Sequence, residues 1–306
     1  MDLNKLVLKK RNLENIYLKV NNEKNVLLTN MLKLTKKINY LVHDCLNTKQ
    51  LIIDLVNRFN IKNIFVNRDK NKIFQKIKRT FSKPKNLWIY LSEEQKYSTD
   101  SYSRYEKNIL REVDKKNSTF ITIGKKAKDF VIKNNFNLFK SFDKSDLNYK
   151  FIMQISQIIK LLFFEEGYEN VYFVLNSNKN YDGHFTLLPI NEFDINRLIT
   201  KNEHIDKEFD NLSNVKFFPN IDEFLDTQID LFIQSAIYSL IVESSFYKTK
   251  VGLVTTNKTL KDLDETISKI SKKVTNLKRE KEIEEITLLT RTNKKMIINL
   301  GASEEE

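Results

Sequence analysis

The sequence predicts an α/β protein in which two long terminal helices pair as a coiled coil and a smaller layered α/β domain is inserted between them. Three observations predict it. The stretch LKDLDETISKISKKVTNL places Leu260, Leu263, Ile267, Ile270, Val274 and Leu277 at alternating spacings of three and four, the heptad seam by which one helix buries a narrow apolar stripe against another. Toward the other end, Leu27, Met31, Leu34, Ile38, Leu41 and Cys45 follow the same spacing, and Ile52 and Leu55 resume it beyond Thr48. Between these seams, short β-branched and aromatic runs alternate with helical patterns.

The first helix is expected from about residue 10 to 59, because the first sixty residues contain neither Gly nor Pro. At 1.5 Å per residue it would be on the order of 75 Å long. The last helix is expected to start at NIDEF, where Asn220 caps and Glu223 stands three residues later as in a capping box. Its pattern runs on to Ile286, on the order of 100 Å, and only Gly252 weakens it, at a typical cost of ~1 kcal/mol relative to Ala. Both stripes require burial, and no internal segment supplies a matching one, so the two helices are expected to pair. They run antiparallel if the ends of the inserted domain lie close together. A helix lying on a globular core usually shows a wider stripe. His43, Asp44 and Cys45 are adjacent and point about 100° apart on a helix, so they do not converge on a metal. Cys45 falls on the seam and His43 and Asp44 on the surface.

In the inserted domain, LWIYLS (residues 87–92), TFITIG (119–124), NVYFVLN (170–176) and HFTLLPI (184–190) read as strands. YSRYEKNILREVDKK (102–116), KKAKDFVIKNN (125–135) and DLNYKFIMQISQIIKLLFFEEG (146–167) read as helices, the last closed by Gly167. This alternation implies a largely parallel sheet, and the turn-rich SNKNYDG joins the last two strands as a hairpin. Sheets of this kind often bind nucleotides at their strand ends, but these loops lack the glycines such sites use. The resulting domain boundaries are 1–62 for the first helix, 63–219 for the α/β domain, 220–289 for the last helix and 290–306 for a tail. In that tail Ile297, Ile298 and Leu300 form an apolar cluster after Lys294 and Lys295 and before three glutamates.

Composition excludes several classes. The chain has 306 residues with 5 Gly and 3 Pro, and neither GxGxxG nor GxxxxGK[ST] occurs, so no nucleotide or other cofactor is expected on this chain alone. Cys45 is the sole cysteine, which rules out an intrachain disulfide and a cysteine-rich metal site. Ser-His-Asp, HExxH and paired-Cys patterns are missing, and His184 and His204 are isolated; the chain is not expected to be an enzyme. The start lacks the apolar core of a signal peptide, and the longest apolar runs, LLFF and LIV, fall far short of a span of ~20 residues. A cytosolic protein is expected, one able to attach to a membrane complex. The net charge of +12 fits a basic surface or the codon bias of an AT-rich genome such as that of a small wall-less bacterium. A basic coiled-coil scaffold or nucleic-acid-binding protein is the alternative; it predicts salt-sensitive binding to DNA or RNA and aromatic-rich basic patches, which are not seen.

Three stretches carry a resemblance. ITIGKKAKDFVIKNNF (121–136) is similar to a strand-Gly-basic-helix segment, EGYENVYFVLNSNKNYDGHFTLLPI (166–190) to a strand, variable loop and closing LLP strand, and ESSFYKTKVGLVTTNKTLKDLDETI (243–267) followed by KEIEEI (281–286) to a C-terminal signature. In that order they resemble the gamma subunit of F-type ATP synthases, the central rotor shaft, over nearly the whole chain. The resemblance implies an antiparallel coiled coil with an inserted Rossmann-like α/β domain. It implies a non-catalytic central-stalk subunit inside a hexameric ring of alpha- and beta-type subunits, with an epsilon-type subunit or other accessory protein at its foot. Nucleic acid is not implied as a partner, and the membrane is met only through the complex, at its cytoplasmic face. Ring contacts would fall on Lys269, Lys272, Lys273, Lys278, Arg279 and Glu282, in a region where ten Lys/Arg and four Asp/Glu lie between Lys248 and Lys281. The family's Lys-Ile-Thr-Lys-Ala-Met motif has no clear counterpart, its Gly-rich turn after the first strand is replaced by SEEQKYSTDSYS, and its Arg-Gln pair by Thr275-Asn276. These departures point to a divergent paralogue serving a specialised F-type-like ATPase.

Overall fold

The computed structural model describes residues 3–66, 84–93, 102–143, 148–179, 183–198 and 216–301. The side chains of residues 195–196 and 293–301 are outside that description, so the apolar cluster of the tail and His204 lie beyond it. In chain order the elements are α1 (Leu3–Arg58), β1 (Asn86–Leu91), α2 (Tyr102–Glu112), β2 (Ser118–Ile123), α3 (Lys125–Lys133), β3 (Asn137–Phe142), α4 (Tyr149–Glu165), β4 (Asn170–Val174), β5 (Phe185–Leu188) and α5 (Ile221–Gly301). Short 3₁₀ turns cover Ile190–Glu192 and Ile195–Leu198. The chain divides into two compact units, residues 30–251 and residues 1–29 with 252–306.

The 30–251 unit is built on a five-stranded sheet of order β3-β2-β1-β4-β5. β1 is parallel to both β2 and β4, β2 is parallel to β3, and β5 closes the edge antiparallel to β4. Period-two alternation assigns side chains to faces. Trp88 and Tyr90 of β1 point into a cluster with Tyr102, Tyr105 and Ile109 of α2 and Ala127 and Val131 of α3. Leu87, Ile89 and Leu91 point to the other face, into the main core with Phe151, Ile155 and Ile159 of α4. The same core takes in Ile38, Leu41, Cys45, Ile52 and Leu55 of α1 and Leu225, Ile229, Phe232, Ile233, Ile237 and Leu240 of α5. α2 and α3 thus cover one face, and α4 with parts of both terminal helices covers the other.

Local chemistry sets the element ends. Asn148 caps α4 by accepting a hydrogen bond from the Phe151 amide. Asn220 and Glu223 form the expected box: the Glu223 amide donates to Asn220 Oδ1 at 2.8 Å, and Asn220 Nδ2 donates to Glu223 Oε1 at 2.9 Å. Between β2 and α3, Gly124 has φ +96°, and a Cβ there would lie 2.3 Å from the Ser92 carbonyl oxygen. Only glycine allows the end of β1 to approach that turn so closely.

In the other unit, Leu6 of α1 packs with Ile270 and Val274 of α5, and Leu3, Leu13 and Leu277 flank them. α5 continues to Gly301, through the segment set apart in the sequence as a tail.

The expected fold class is corrected. The structure is a mixed five-stranded sheet with a long C-terminal helix, not a gamma-type coiled coil carrying an inserted domain. The seam positions Ile38, Leu41, Cys45, Ile52 and Leu55 are packed in the core they share with strands and α4, and Val42 and Val56, which lie off the seam, are buried there too. The stripe on this half of α1 is therefore the wide one of a core-facing helix. Three-four spacing occurs in both kinds of stripe, and the flanking valines distinguish them. A fifth strand, β3, also appears where NLFKSF gave no strand signal, because its residues are largely exposed at the sheet edge.

Candidate functional site

In an open α/β sheet the crevice outside the carboxyl ends of the strands, where the strand order reverses, is the usual ligand position. Here that point lies between β1 and β4. β1 ends in Ser92 and Glu93, and β4 leads into Asn176 and Ser177, all of them buried. α2 brings Tyr102 and Tyr105 to this edge, and α5 brings Glu243, Ser244, Ser245 and Lys248.

These groups bond to one another. The Tyr105 hydroxyl donates to the Ser177 carbonyl at 2.9 Å and accepts from its amide at 3.3 Å. The Glu93 amide donates to the Tyr102 hydroxyl at 2.8 Å. Ser177 Oγ donates to Glu243 Oε1 at 2.6 Å and accepts from the Lys179 amide at 3.0 Å. Ser245 Oγ donates to Glu93 Oε1 at 3.2 Å, and Lys248 Nζ lies 3.6 Å from Glu93 Oε2. On the adjoining strand end, Ser92 Oγ accepts from the Ala127 amide at 2.8 Å and so caps α3. Among the described residues these side chains fasten α5 to the sheet through one carboxylate from each side.

Electrostatics follow from burial. Burial raises the Glu243 carboxyl above its ordinary 4.5, and the Ser177 hydrogen bond and the charges of Lys179 and Lys250 offset this only in part. Its Oε2 and the neighbouring Ser244 Oγ have no hydrogen-bond partner among the described residues. Burial lowers Lys179, whose ammonium donates to the Leu198 carbonyl at 2.8 Å. Burial likewise pushes the Tyr102 hydroxyl up. Chemically this arrangement is a clasp. A buried carboxyl beside a serine lacks the histidine that would make the serine a nucleophile. No group of three His, Cys, Asp or Glu is placed to hold a metal ion among the described residues.

The residues singled out in the sequence are distributed as follows. Ile38, Leu41, Cys45, Ile52 and Leu55 are core residues of the 30–251 unit, Leu34 packs partly buried against them, and Met31 is half-buried. Burial pushes the Cys45 thiol up to about 12. In the other unit Leu260, Ile270 and Val274 are buried, and Leu27, Leu263, Ile267 and Leu277 are half-buried. Lys269, Lys272, Lys273, Lys278, Arg279 and Glu282 are all exposed along α5. His43 and Asp44 are exposed, and His43 Nδ1 lies 2.9 Å from Asn47 Nδ2. His184 stacks edge-on against Trp88 and Tyr172 and sits 3.8 Å from Glu112. Sequence reasoning missed Glu93, Ser177, Glu243 and Lys248 as a group. One signal was present: Glu243 is the only charged residue between Leu231 and Tyr247. That apolar stretch gives α5 a window of mean hydropathy 1.2, long enough by composition to cross a membrane, but 67% of the window is buried inside the fold.

No protein-family model matches the chain. Solved structures to which it is similar are chains of ATP synthase assemblies. One is a chain of the Tetrahymena thermophila mitochondrial central stalk and c-ring, 14% identical with a TM-score of 0.45, over 78% of this chain and 98% of that one. A second is from the Euglena gracilis mitochondrial rotor, 11% identical with a TM-score of 0.39, over 85% and 99%. A third is from the Euglena gracilis OSCP/F1/c-ring structure, 11% identical with a TM-score of 0.41, over 94% of each. Among sequences, the protein UU050 of Ureaplasma parvum is 44% identical over 293 residues, which is 96% of this chain and 95% of that protein. With that identity along nearly the whole of both chains, this protein belongs to the same family as UU050 of Ureaplasma parvum.

Proposed function

We propose that the chain is a non-catalytic, gamma-like central-stalk subunit of a rotary ATPase. The observation that carries the reading is the order of the three resembling stretches along the fold. Residues 121–136 form β2, the Gly124 turn and α3, residues 166–190 contain β4 and β5, and residues 243–286 lie in α5. In this reading alpha- and beta-type subunits form the catalytic ring, and the exposed Lys269, Lys272, Lys273, Lys278 and Arg279 meet acidic elements of that ring. An asymmetric stalk contacts each ring subunit differently, so its angle biases which site is open. An epsilon-type or other accessory subunit would bind at the foot, and the chain would reach the cytoplasmic face of the membrane only through the complex.

Co-expression with the alpha- and beta-type subunits of the same genome tests this. The expected result is one complex containing all three chains with ATPase activity. Charge reversal of Lys269, Lys272 and Lys273 should lower that activity while the chain still folds. Recovery of a ring without this chain, with the chain alone at monomer mass, would refute the proposal.

A further inference from the structure

α4 is apolar on its outer side as well as its inner one. Phe151, Ile155, Ile159 and Phe163 are buried in the core. Tyr149, Met153, Leu161 and Phe164 form a second stripe that is 64%, 38%, 56% and 68% exposed. A helix that is hydrophobic all round normally lies wholly inside a structure. From Met153 to Phe164 the stripe spans on the order of 16 Å, about three helical turns. Its Leu161 and Phe164 end, with Gln157 beside it, opens into a cavity of about 560 Å³ that Ile64 and Phe65 line from the loop after α1.

The opposite wall of that cavity is acidic. Asp226 and Asp230 of α5 line it, and Asp222 and Glu223 stand exposed one turn earlier. No Lys or Arg occurs between Ile221 and Tyr247, although the chain as a whole carries +12. Lys160 of α4 reaches across to this wall, where it is held by Asp226 at 2.8 Å and Asp230 at 2.6 Å. Burial pulls its pKa down, but these two carboxylates outweigh that and raise it. By their spacing Asp222, Glu223, Asp226 and Asp230 share one face of α5, four carboxylates against the two ammonium groups of Lys160 and Lys62, so the row stays negative. Lys62 lies on the loop side of the cavity.

We infer that this groove between α4 and the start of α5 docks an amphipathic helix of another protein, one with an apolar stripe and lysines or arginines along the flank that meets α5. The apolar stripe supplies the binding free energy, and the carboxylate row sets the direction in which the partner lies. The inference does not depend on the rotary reading.

The test uses the full-length chain and three labelled peptides followed by fluorescence anisotropy. One is a Leu/Lys peptide with an amphipathic helical pattern, one its scrambled counterpart, and one the same stripe flanked by Glu instead of Lys. The patterned Leu/Lys peptide should bind, and the other two should bind at least about tenfold more weakly. Leu161→Glu and, separately, Phe164→Glu should each weaken binding by about tenfold. Asp226→Asn should weaken it less and reduce its dependence on salt. Because these side chains are exposed, circular dichroism and the thermal midpoint should stay near those of the parent. Equal binding of the scrambled or Glu peptide, or indifference to both apolar variants, overturns the inference. A parent chain that sediments as a dimer and becomes monomeric with Phe164→Glu assigns the groove to a second copy, and a large gain in peptide affinity on deleting residues 67–83 assigns it to the chain's own segment. Either result also overturns it.

Discussion

Glu243 lies 2% exposed at the sheet edge, with one oxygen on Ser177 and the other without a hydrogen-bond partner among the described residues. Its carboxyl is raised by burial above the ordinary 4.5, so at pH values between its unfolded and folded pKa the folded chain binds more protons than the unfolded one. Stability from this group is present below about pH 4.5 and is lost as pH rises through the folded value, after which the loss is constant. Glu243→Gln keeps an oxygen for Ser177 and carries no ionisable proton. The variant should lack that decline, so its stability relative to the parent should rise with pH above about 4.5 and then level off. Urea unfolding of both chains across a pH series measures the difference, in which the other carboxylates cancel. A flat difference would mean that Lys179 and Lys250 keep Glu243 charged. Gly124 is a second decisive position. Gly124→Ala meets both the positive φ and the Ser92 carbonyl, and the variant should lose about 1–3 kcal/mol or more of stability in the same assay.

At the scale of elements, the two terminal helices are not uniform along their lengths. The half of α1 from Ile38 to Val56 is a core helix, with Ile52 and Leu55 fully buried. The half before Thr29 is exposed at most positions, with a narrow half-buried stripe and Leu6 its buried contact to α5. α5 changes in the same way: Leu225 to Val242 is buried in the main core, whereas beyond Gly252 burial narrows to Thr256, Leu260, Ile270 and Val274. Stability should follow this division. Ile52→Ala should cost ~2–5 kcal/mol, as for a fully packed side chain. Leu27→Ala, at a half-buried site, should cost about 1 kcal/mol or less, because less apolar area returns to water. Denaturant titration of the two variants decides it; equal losses would show a seam that bears load evenly.

For the molecule as a whole, the decisive feature is what occupies the strand-order reversal between β1 and β4. Ser177, Glu93, Glu243 and Ser245 are joined there by hydrogen bonds of 2.6 and 3.2 Å, so the described edge presents two buried carboxyl groups, which disfavour a phosphate. Titration calorimetry of the purified chain with Mg-ATP should therefore give no heat of specific binding. A micromolar dissociation constant would mean that α5 can leave the crevice and that the sheet is a nucleotide domain.

The sequence alone determined the elements whose signal is local. The capping box at Asn220 and Glu223, the glycine between β2 and α3, and the strands β1, β2, β4 and β5 are set by residues within a few positions of each other. It also set the absence of phosphate-binding motifs and the acidic start of α5. Only the tertiary structure decided what each apolar stripe is buried against. Heptad spacing states that a stripe is hidden, and the same spacing serves a partner helix or a sheet, so the seam from Ile38 to Leu55 was legible while its partner was not. β3 was illegible because an exposed edge strand needs no apolar alternation. The clasp joins Glu93 to Ser245, 152 positions apart in the chain, and Ser177 to Glu243, 66 apart. Such groups become a site only when packing brings them together and removes the water that would otherwise solvate them.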